Sequence, residues 1–326
     1  MKPAFSVIFL TTLIGAGQGL FLALFTAESY AAFGLLSPQP TSFYALGSAC
    51  ALLFLAGGLV ASFFHLGRPE RAWRAAAQWR TSWLSREVIV LPAFMGTVFL
   101  YGAAHGLGVN PALARLPSGA PINLTAVLGA AGTLLAFALY VCTGMVYACL
   151  RFLREWHTPL TVINYILLGG ASGFAFAALF SAWALPGLTR FYAGWALAIA
   201  FIAMVGRVAA LVRNARLKPK STLQSALGIK HPRIVQKAQG AMGGSFNTRE
   251  FFHGQPDALL SMVKWFFLAF AFIVPMALLS VATVSEAPGP SLTAAFIIQF
   301  AGLLAERWFF FAQASHPQNL YYQSVA

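Results

Sequence analysis

The chain has 326 residues, 59% of them hydrophobic and only 9% charged, with a formal net charge of +13. A soluble domain carries roughly a quarter of charged residues, so this composition excludes one. The basic residues fall between long apolar runs, which points away from nucleic acid and toward a polytopic membrane protein.

A hydrocarbon core about 30 Å thick needs roughly 20 apolar residues per helical span. The first run covers residues 4–26. Its apolar stretch from Phe5 to Phe25 is too long for the h-region of a secretory signal and lacks a small-residue cleavage site, so it reads as a span. Further spans are expected at 42–65, 87–107, 122–150, 160–184, 189–212, 258–284 and 291–313. Breakers separate them, among them Ser37-Pro38-Gln39-Pro40, Pro117-Ser118-Gly119 and Pro288-Gly289-Pro290. The predicted fold is all-α, with eight transmembrane helices in a single integral-membrane domain over residues 1–326. The longest connector, 214–257, is basic, contains Gly240, Gly243 and Gly244, and is too short for an ordinary domain. It reads either as a segment ordered by a partner or as a loop lying on anionic lipid. Gly15, Gly17 and Gly19 in the first span, with Gly169, Gly170 and Gly173 in the fifth, predict close helix packing. GAGQG is not a dinucleotide fingerprint, because no strand precedes it.

Charge sets the orientation. Connectors two, four and six hold fifteen Lys and Arg residues, against Arg115 and Arg190 alone in the other four connectors. The positive-inside rule then places connectors two, four and six, and both termini, in the cytoplasm.

The second connector carries the densest chemistry. HLGRPERAWRAAAQWRTSWLSRE runs from His65, at the end of one span, to Glu87, at the start of the next. Five arginines (Arg68, Arg71, Arg74, Arg80, Arg86) and three tryptophans (Trp73, Trp79, Trp83) lie between them. A titratable pair at the membrane surface beside a cationic, aromatic connector suits proton-coupled chemistry on a lipid-dissolved substrate. Taken alone, His65 also reads as a helix C-terminal histidine satisfying backbone carbonyls. Glu87 likewise reads as a carboxylate favoured by a helix N-terminus, with Ser85 as that helix's N-cap. The remaining ionisable groups inside spans are Arg207, Lys264, Glu306 and Arg307, all toward the cytoplasmic side. Such groups are costly in lipid and face a cavity or a partner. Arg207 and Lys264 lie within about two turns of a span end and read as snorkelling side chains. Glu306 and Arg307 are open between a structural and a functional part.

A haem would need paired histidines at one depth. Apart from His65, only His105 is embedded in a span. It lies 18 residues beyond Glu87, about 27 Å along a helix, toward the opposite face. Haem is therefore not expected. Cys50, Cys142 and Cys149 fall in apolar context without metal or iron–sulfur spacing, so neither a metal site nor a cluster is expected. A secondary transporter would show related halves and broken helices about a midplane site. Here the charges gather at one face, and no repeat is visible.

The segments HLGRPERAWRA (His65–Ala75), RTSWLSREV (Arg80–Val88) and ERWFFFAQASHPQNLYYQ (Glu306–Gln323) resemble the membrane-anchor subunits of the dimethyl sulfoxide reductase family, the DmsC type. The eight-span pattern extends the resemblance to the whole chain. It implies a haem-free anchor in a bacterial inner membrane, on which an iron–sulfur subunit and a molybdopterin catalytic subunit dock. It also implies a quinone site near the docked face, with His65 and Glu87 as its reactive pair. Arg86, Arg80 and Trp83 are expected beside that pair, tuning Glu87, contacting quinone or meeting the partner. Connectors four and six and the Tyr321-Tyr322 tail are expected to complete the docking surface. In the respiratory dimethyl sulfoxide reductases the catalytic subunits are exported, which would make connector two periplasmic. Its five arginines read as cytoplasmic instead. The charge pattern therefore favours the relatives found in cytoplasmic sulfite-oxidising complexes, giving a sulfite:quinone oxidoreductase. A dimethyl sulfoxide or related oxide reductase is the alternative, and a purely structural anchor a further one.

Overall fold

The computed structural model describes residues 4–115, 121–218, 221–237, 256–317 and 319. Eight helices among them are long and apolar enough to cross a membrane. They are α1 Phe5–Ala32, α2 Thr41–Phe63, α3 Trp83–Gly106, α4 Leu124–Ala148, α5 Pro159–Ala184, α6 Thr189–Ala215, α7 Asp257–Val284 and α8 Gly289–Ala312. The Pro117-Ser118-Gly119 breaker, the Gly240, Gly243 and Gly244 stretch and the Tyr321-Tyr322 tail lie outside the described residues.

Three departures from the expected spans matter for function. Helix α1 continues to Ala32 and so encloses Glu28. No breaker interrupts FTAESYAA, and the chain turns only at Gly34, whose φ of 72° favours a residue without Cβ. Helix α3 begins at Trp83, because Ser82 rather than Ser85 is the N-cap: its hydroxyl accepts the Ser85 N–H at 3.3 Å. Glu87 thereby sits four residues inside α3, about 6 Å along its axis. The third connector is not wholly irregular. It pairs β1 Ala112–Arg115 antiparallel with β2 Pro121–Asn123, a ribbon the all-α reading omits.

Helices α1 and α5 form the centre, with α2, α3 and α4 packed on one flank and α6, α7 and α8 on the other. The glycines set that centre. A Cβ on Gly19 would lie 2.3 Å from the Gly169 carbonyl oxygen, and one on Gly173 would lie 2.1 Å from the Gly19 carbonyl carbon. The two backbones therefore touch, as small residues permit in lipid. Helix α7 contains a π turn at Ala269–Ile273. Pro275 has no N–H for the Ala271 carbonyl, which is the standard origin of such an irregularity. Gly302 of α8 presses into it, with a Cβ there falling 2.2 Å from the Ala271 nitrogen.

Ile8, Trp156, Phe310, Phe311 and Ala314 share one apolar cluster. It joins the start of α1, the α4–α5 connector and the end of α8 at a single face, the one that also carries connectors two and six. This is the basic face. Cys142 is buried, Cys50 is half-buried, and Cys149 is exposed just past α4 rather than inside it; all three are free thiols.

Candidate quinone cavity

One turn below the basic face, Glu87 enters a cavity of about 30 Å³ enclosed by α1, α3, α4, α5 and α8. Its polar lining includes Gln18, Tyr140, Thr143, Tyr165 and Arg307, and its apolar lining includes Leu10 and Leu303. The Thr143 hydroxyl donates to the Glu87 carboxylate at 2.6 Å. The Tyr140 hydroxyl donates to the Gly15 carbonyl at 2.9 Å, and the Gln18 amide donates to the Ala136 carbonyl at 2.8 Å. These bonds tie α1 to α4 and leave Glu87 as the acidic group of the cavity. The volume holds a water or two, or the carbonyl edge of a larger molecule. A whole quinone ring exceeds this volume.

Arg307 belongs to a buried ion cluster beside this cavity. Glu306, fully buried, accepts a hydrogen bond from Arg307 Nε at 2.6 Å and is ion-paired with Arg207, whose Nε lies 2.6 Å from Oε1. Arg307 stacks on the Tyr165 ring at 4.2 Å, and Arg207 lies between Phe267 and Phe309 at 5.4 and 5.7 Å. Two guanidiniums on one carboxylate leave a net charge of +1, which complements the Glu87 carboxylate nearby. Arg207 is 2% exposed and ion-paired, so the snorkelling reading fails for it. The Glu306 carboxylate across the helix interface holds its head inside. Lys264 keeps the snorkelling geometry, half-buried with its ammonium 5.4 Å from the Trp265 ring.

The residues of connector two divide. His65 is exposed just past the end of α2 and is not among the side chains lining the Glu87 cavity. Partial burial nevertheless holds its imidazole below the ordinary histidine value. Arg86 is committed to the connector's own shape. Its Nε donates to the Trp79 carbonyl at 2.9 Å, its Nη2 donates to the Arg80 carbonyl at 2.8 Å, and its guanidinium stacks on Trp83 at 4.3 Å. Arg80 lies over Trp79 at 5.4 Å. Pro69–Gln78 forms an exposed 3₁₀ helix. Connector two is thus a folded, cationic and aromatic platform on the surface above Glu87.

The sequence reading missed the partners from other helices. Thr143, Tyr140 and Tyr165 are ordinary span residues, and only their depth, level with Glu87, could have drawn attention to them. A second polar cluster sits at the opposite face. Glu28 accepts from the hydroxyls of Tyr101 and Thr125, each at 2.6 Å, and His105 Nε2 lies 3.5 Å away. His105 also stacks on Tyr44 at 4.5 Å. These contacts account for the one other histidine within a span.

Eight membrane-length helices around a buried carboxylate, beneath a basic, aromatic surface, define a polytopic membrane protein. The chain belongs to the DmsC family, its residues 1–322 matching "DMSO reductase anchor subunit (DmsC)". It is 56% identical over 326 residues, the whole of both chains, to a sulfite dehydrogenase subunit of Allochromatium vinosum. Membership implies partner subunits in a complex of the dimethyl sulfoxide reductase type.

Proposed function

We propose that this anchor passes electrons between a docked iron–sulfur subunit and membrane quinone, and that Glu87 exchanges the protons of the quinone reaction. The supporting observation is the Glu87 carboxylate, held by Thr143 in a cavity that Arg307 and Tyr165 also line. Interconversion of quinone and quinol moves two electrons and two protons, so a proton-exchanging group must lie within hydrogen-bond reach of a ring oxygen. Glu87 accepts or gives the proton, Arg307 offsets the carboxylate charge, and the Tyr165 ring holds the guanidinium in place. His65 offers a ring nitrogen at the surface where quinone would meet the docked partner. Arg80, Arg86 and Trp83 keep connector two in the shape that the partner reads.

The fifteen basic residues of connectors two, four and six support a cytoplasmic basic face, with both termini on that side of a bacterial inner membrane. A molybdopterin catalytic subunit and an iron–sulfur subunit would then dock from the cytoplasm. That orientation, together with the 56% identity to a sulfite dehydrogenase subunit, supports sulfite:quinone oxidoreduction. The family description, which names the DMSO reductase anchor, supports quinol-oxidising oxide reduction as the second reading.

The test is Glu87→Gln in the assembled complex. Quinone-linked turnover should fall by on the order of 100-fold, the usual size of a lost general acid–base group. Turnover with an artificial dye that bypasses quinone should persist. Unchanged quinone turnover would remove Glu87 from the reaction.

A further inference from the structure

Outward of the Glu87 cavity, toward the basic face, lies a second void of about 10 Å³. It is lined by Glu155, Asn164, Arg207 and Gln313, and it shares Tyr165 and Arg307 with the Glu87 cavity. Asn164 and Arg207 are 4% and 2% exposed. Asn164 Oδ1, Arg207 Nη2 and Gln313 Nε2 have no hydrogen-bond partner among the described residues. A buried polar atom left unsatisfied is costly, because it has given up water without gaining a partner. Three around one void of water size meet the conditions for ordered water, which needs such a volume and two to four polar partners. Between the Glu87 cavity and the Glu28 cluster the core is packed with apolar side chains, among them Phe21, Phe94, Val98 and Leu139, each 0% exposed.

The outer end of this seam is built from the α4–α5 connector. The Glu155 carbonyl accepts from the Asn214 amide at 3.3 Å, and that amide also reaches Gln313 at 3.4 Å. Arg213 donates to the Arg154 carbonyl at 3.0 Å and to the His157 carbonyl at 3.2 Å. These contacts fasten the connector to the ends of α6 and α8. Glu155 therefore stands at the surface, partly exposed, with the void beneath it. Its burial raises its pKa above the ordinary carboxylate value, although backbone hydrogen bonds and the nearby Arg154 and Arg213 oppose this.

We infer that this seam between α5, α6 and α8 is the proton route between the basic face and Glu87, with Glu155 as its outer relay and Tyr165 as its junction with the cavity. The inference rests on the quinone reading of that cavity and supplies the path its protons take. Arginine does not release its proton in proteins, so Arg207 and Arg307 orient water and carry none. The carriers are the Glu155 carboxyl, the water between and the Tyr165 hydroxyl. Each quinone reduced takes two electrons from the partner's iron–sulfur group and two protons through this seam to Glu87 and the ring oxygens. Quinol oxidation returns both by the same ways.

The experiment compares Glu155→Gln, Tyr165→Phe and Glu87→Gln in the assembled complex, with dye-linked turnover as the control for assembly. Tyr165→Phe keeps the ring under Arg307 and removes only the hydroxyl. Glu155→Gln and Tyr165→Phe should each lower quinone-linked turnover about tenfold, less than a direct acid–base group, with KM for quinone unchanged. The solvent deuterium effect on that turnover should rise. A small weak acid such as formate should restore turnover to Glu155→Gln, a rescue that a merely structural role would not give. Wild-type turnover in both seam variants beside a defective Glu87→Gln would overturn the route and leave the cavity assignment standing. Wild-type turnover in all three would overturn both.

Discussion

Replacing Glu306 by Gln is expected to damage the bundle more than replacing either arginine it pairs with. Glu306 is 0% exposed and ion-paired with both guanidiniums at 2.6 Å. Its loss converts a cluster of net charge +1 into two buried like charges with no carboxylate between them. Removing one partner of a buried ion pair costs about 3–5 kcal/mol, and two pairs share this carboxylate, so the upper end applies. Taken against a typical stability of about 5–15 kcal/mol, that is a large share. Arg207→Met instead leaves a balanced Glu306–Arg307 pair and a long apolar side chain between Phe267 and Phe309. Its cost should stay near the roughly 1–3 kcal/mol of a repacked core. The assay is the midpoint of heat-induced loss of the monodisperse peak in detergent, read by fluorescence-detected size exclusion. Glu306→Gln, at about 5 kcal/mol, should fall about 10 °C below wild type, taking about 2 °C per kcal/mol for a chain of this size, with Arg207→Met between them. Equal midpoints for the two variants would refute the counter-ion account of Glu306.

Other outcomes follow from the same geometry. Gly173→Ala places a methyl within 2.1 Å of the Gly19 carbonyl carbon, so α1 and α5 must separate, and folded anchor in the membrane should drop severalfold; Gly194→Ala, with open space around it, should be tolerated. Glu28→Gln should lower the melting midpoint through loss of charge-assisted bonds from Tyr101 and Thr125, about 1.5–3 kcal/mol each, while quinone-linked turnover in surviving complex stays at the wild-type level. For Glu155, a raised folded pKa means that the folded state binds the proton more tightly than the unfolded chain. Its contribution is therefore full below the ordinary carboxylate value and lost as pH rises through the raised one. Glu155→Gln should then gain thermal stability relative to wild type more at about pH 7.5 than at about pH 4.5, and an equal gain at both would count against the shift. Sulfite added to inside-out vesicles should reduce quinone, and the same impermeant substrate should fail with right-side-out vesicles; the reverse pattern would place the basic face and the sulfite-oxidising partner outside, and failure with both would favour quinol-oxidising oxide reduction.

The spans were legible because each is a nearly continuous apolar run closed by proline, glycine or charge, and a 3.6-residue helix is the structure that satisfies a lone backbone in lipid. Their ends were less so. The α3 start hinged on which of Ser82 and Ser85 turns its hydroxyl back to the helix, a choice that leaves no trace in composition. The α1 end hinged on Glu28, which looks like a terminating charge until Tyr101, Thr125 and His105 arrive from other helices to receive it. For the site, Glu87 stood out as a carboxylate at a span boundary, and Arg307 as a charge within one. Their convergence was not legible, because it requires knowing that α3 and α8 both pack against α1. His65 was paired with Glu87 through their shared connector. The structure instead leaves it at the surface, since the 3₁₀ platform lies between the two ends. The glycine reading held because a Cβ-free surface has one principal use between apolar helices, and Gly19, Gly169 and Gly173 have it.

The most direct test of the central claim is the position of quinone itself. A photoreactive quinone analogue would be illuminated in the assembled complex and its adducts mapped by mass spectrometry. The account predicts labelling at Leu10–Gln18 of α1 and at Leu303 of α8, around the Glu87 cavity, and loss of that labelling when natural quinone is in excess. Adducts confined to the surface around His65 and connector two, with none on α1 or α8, would contradict it.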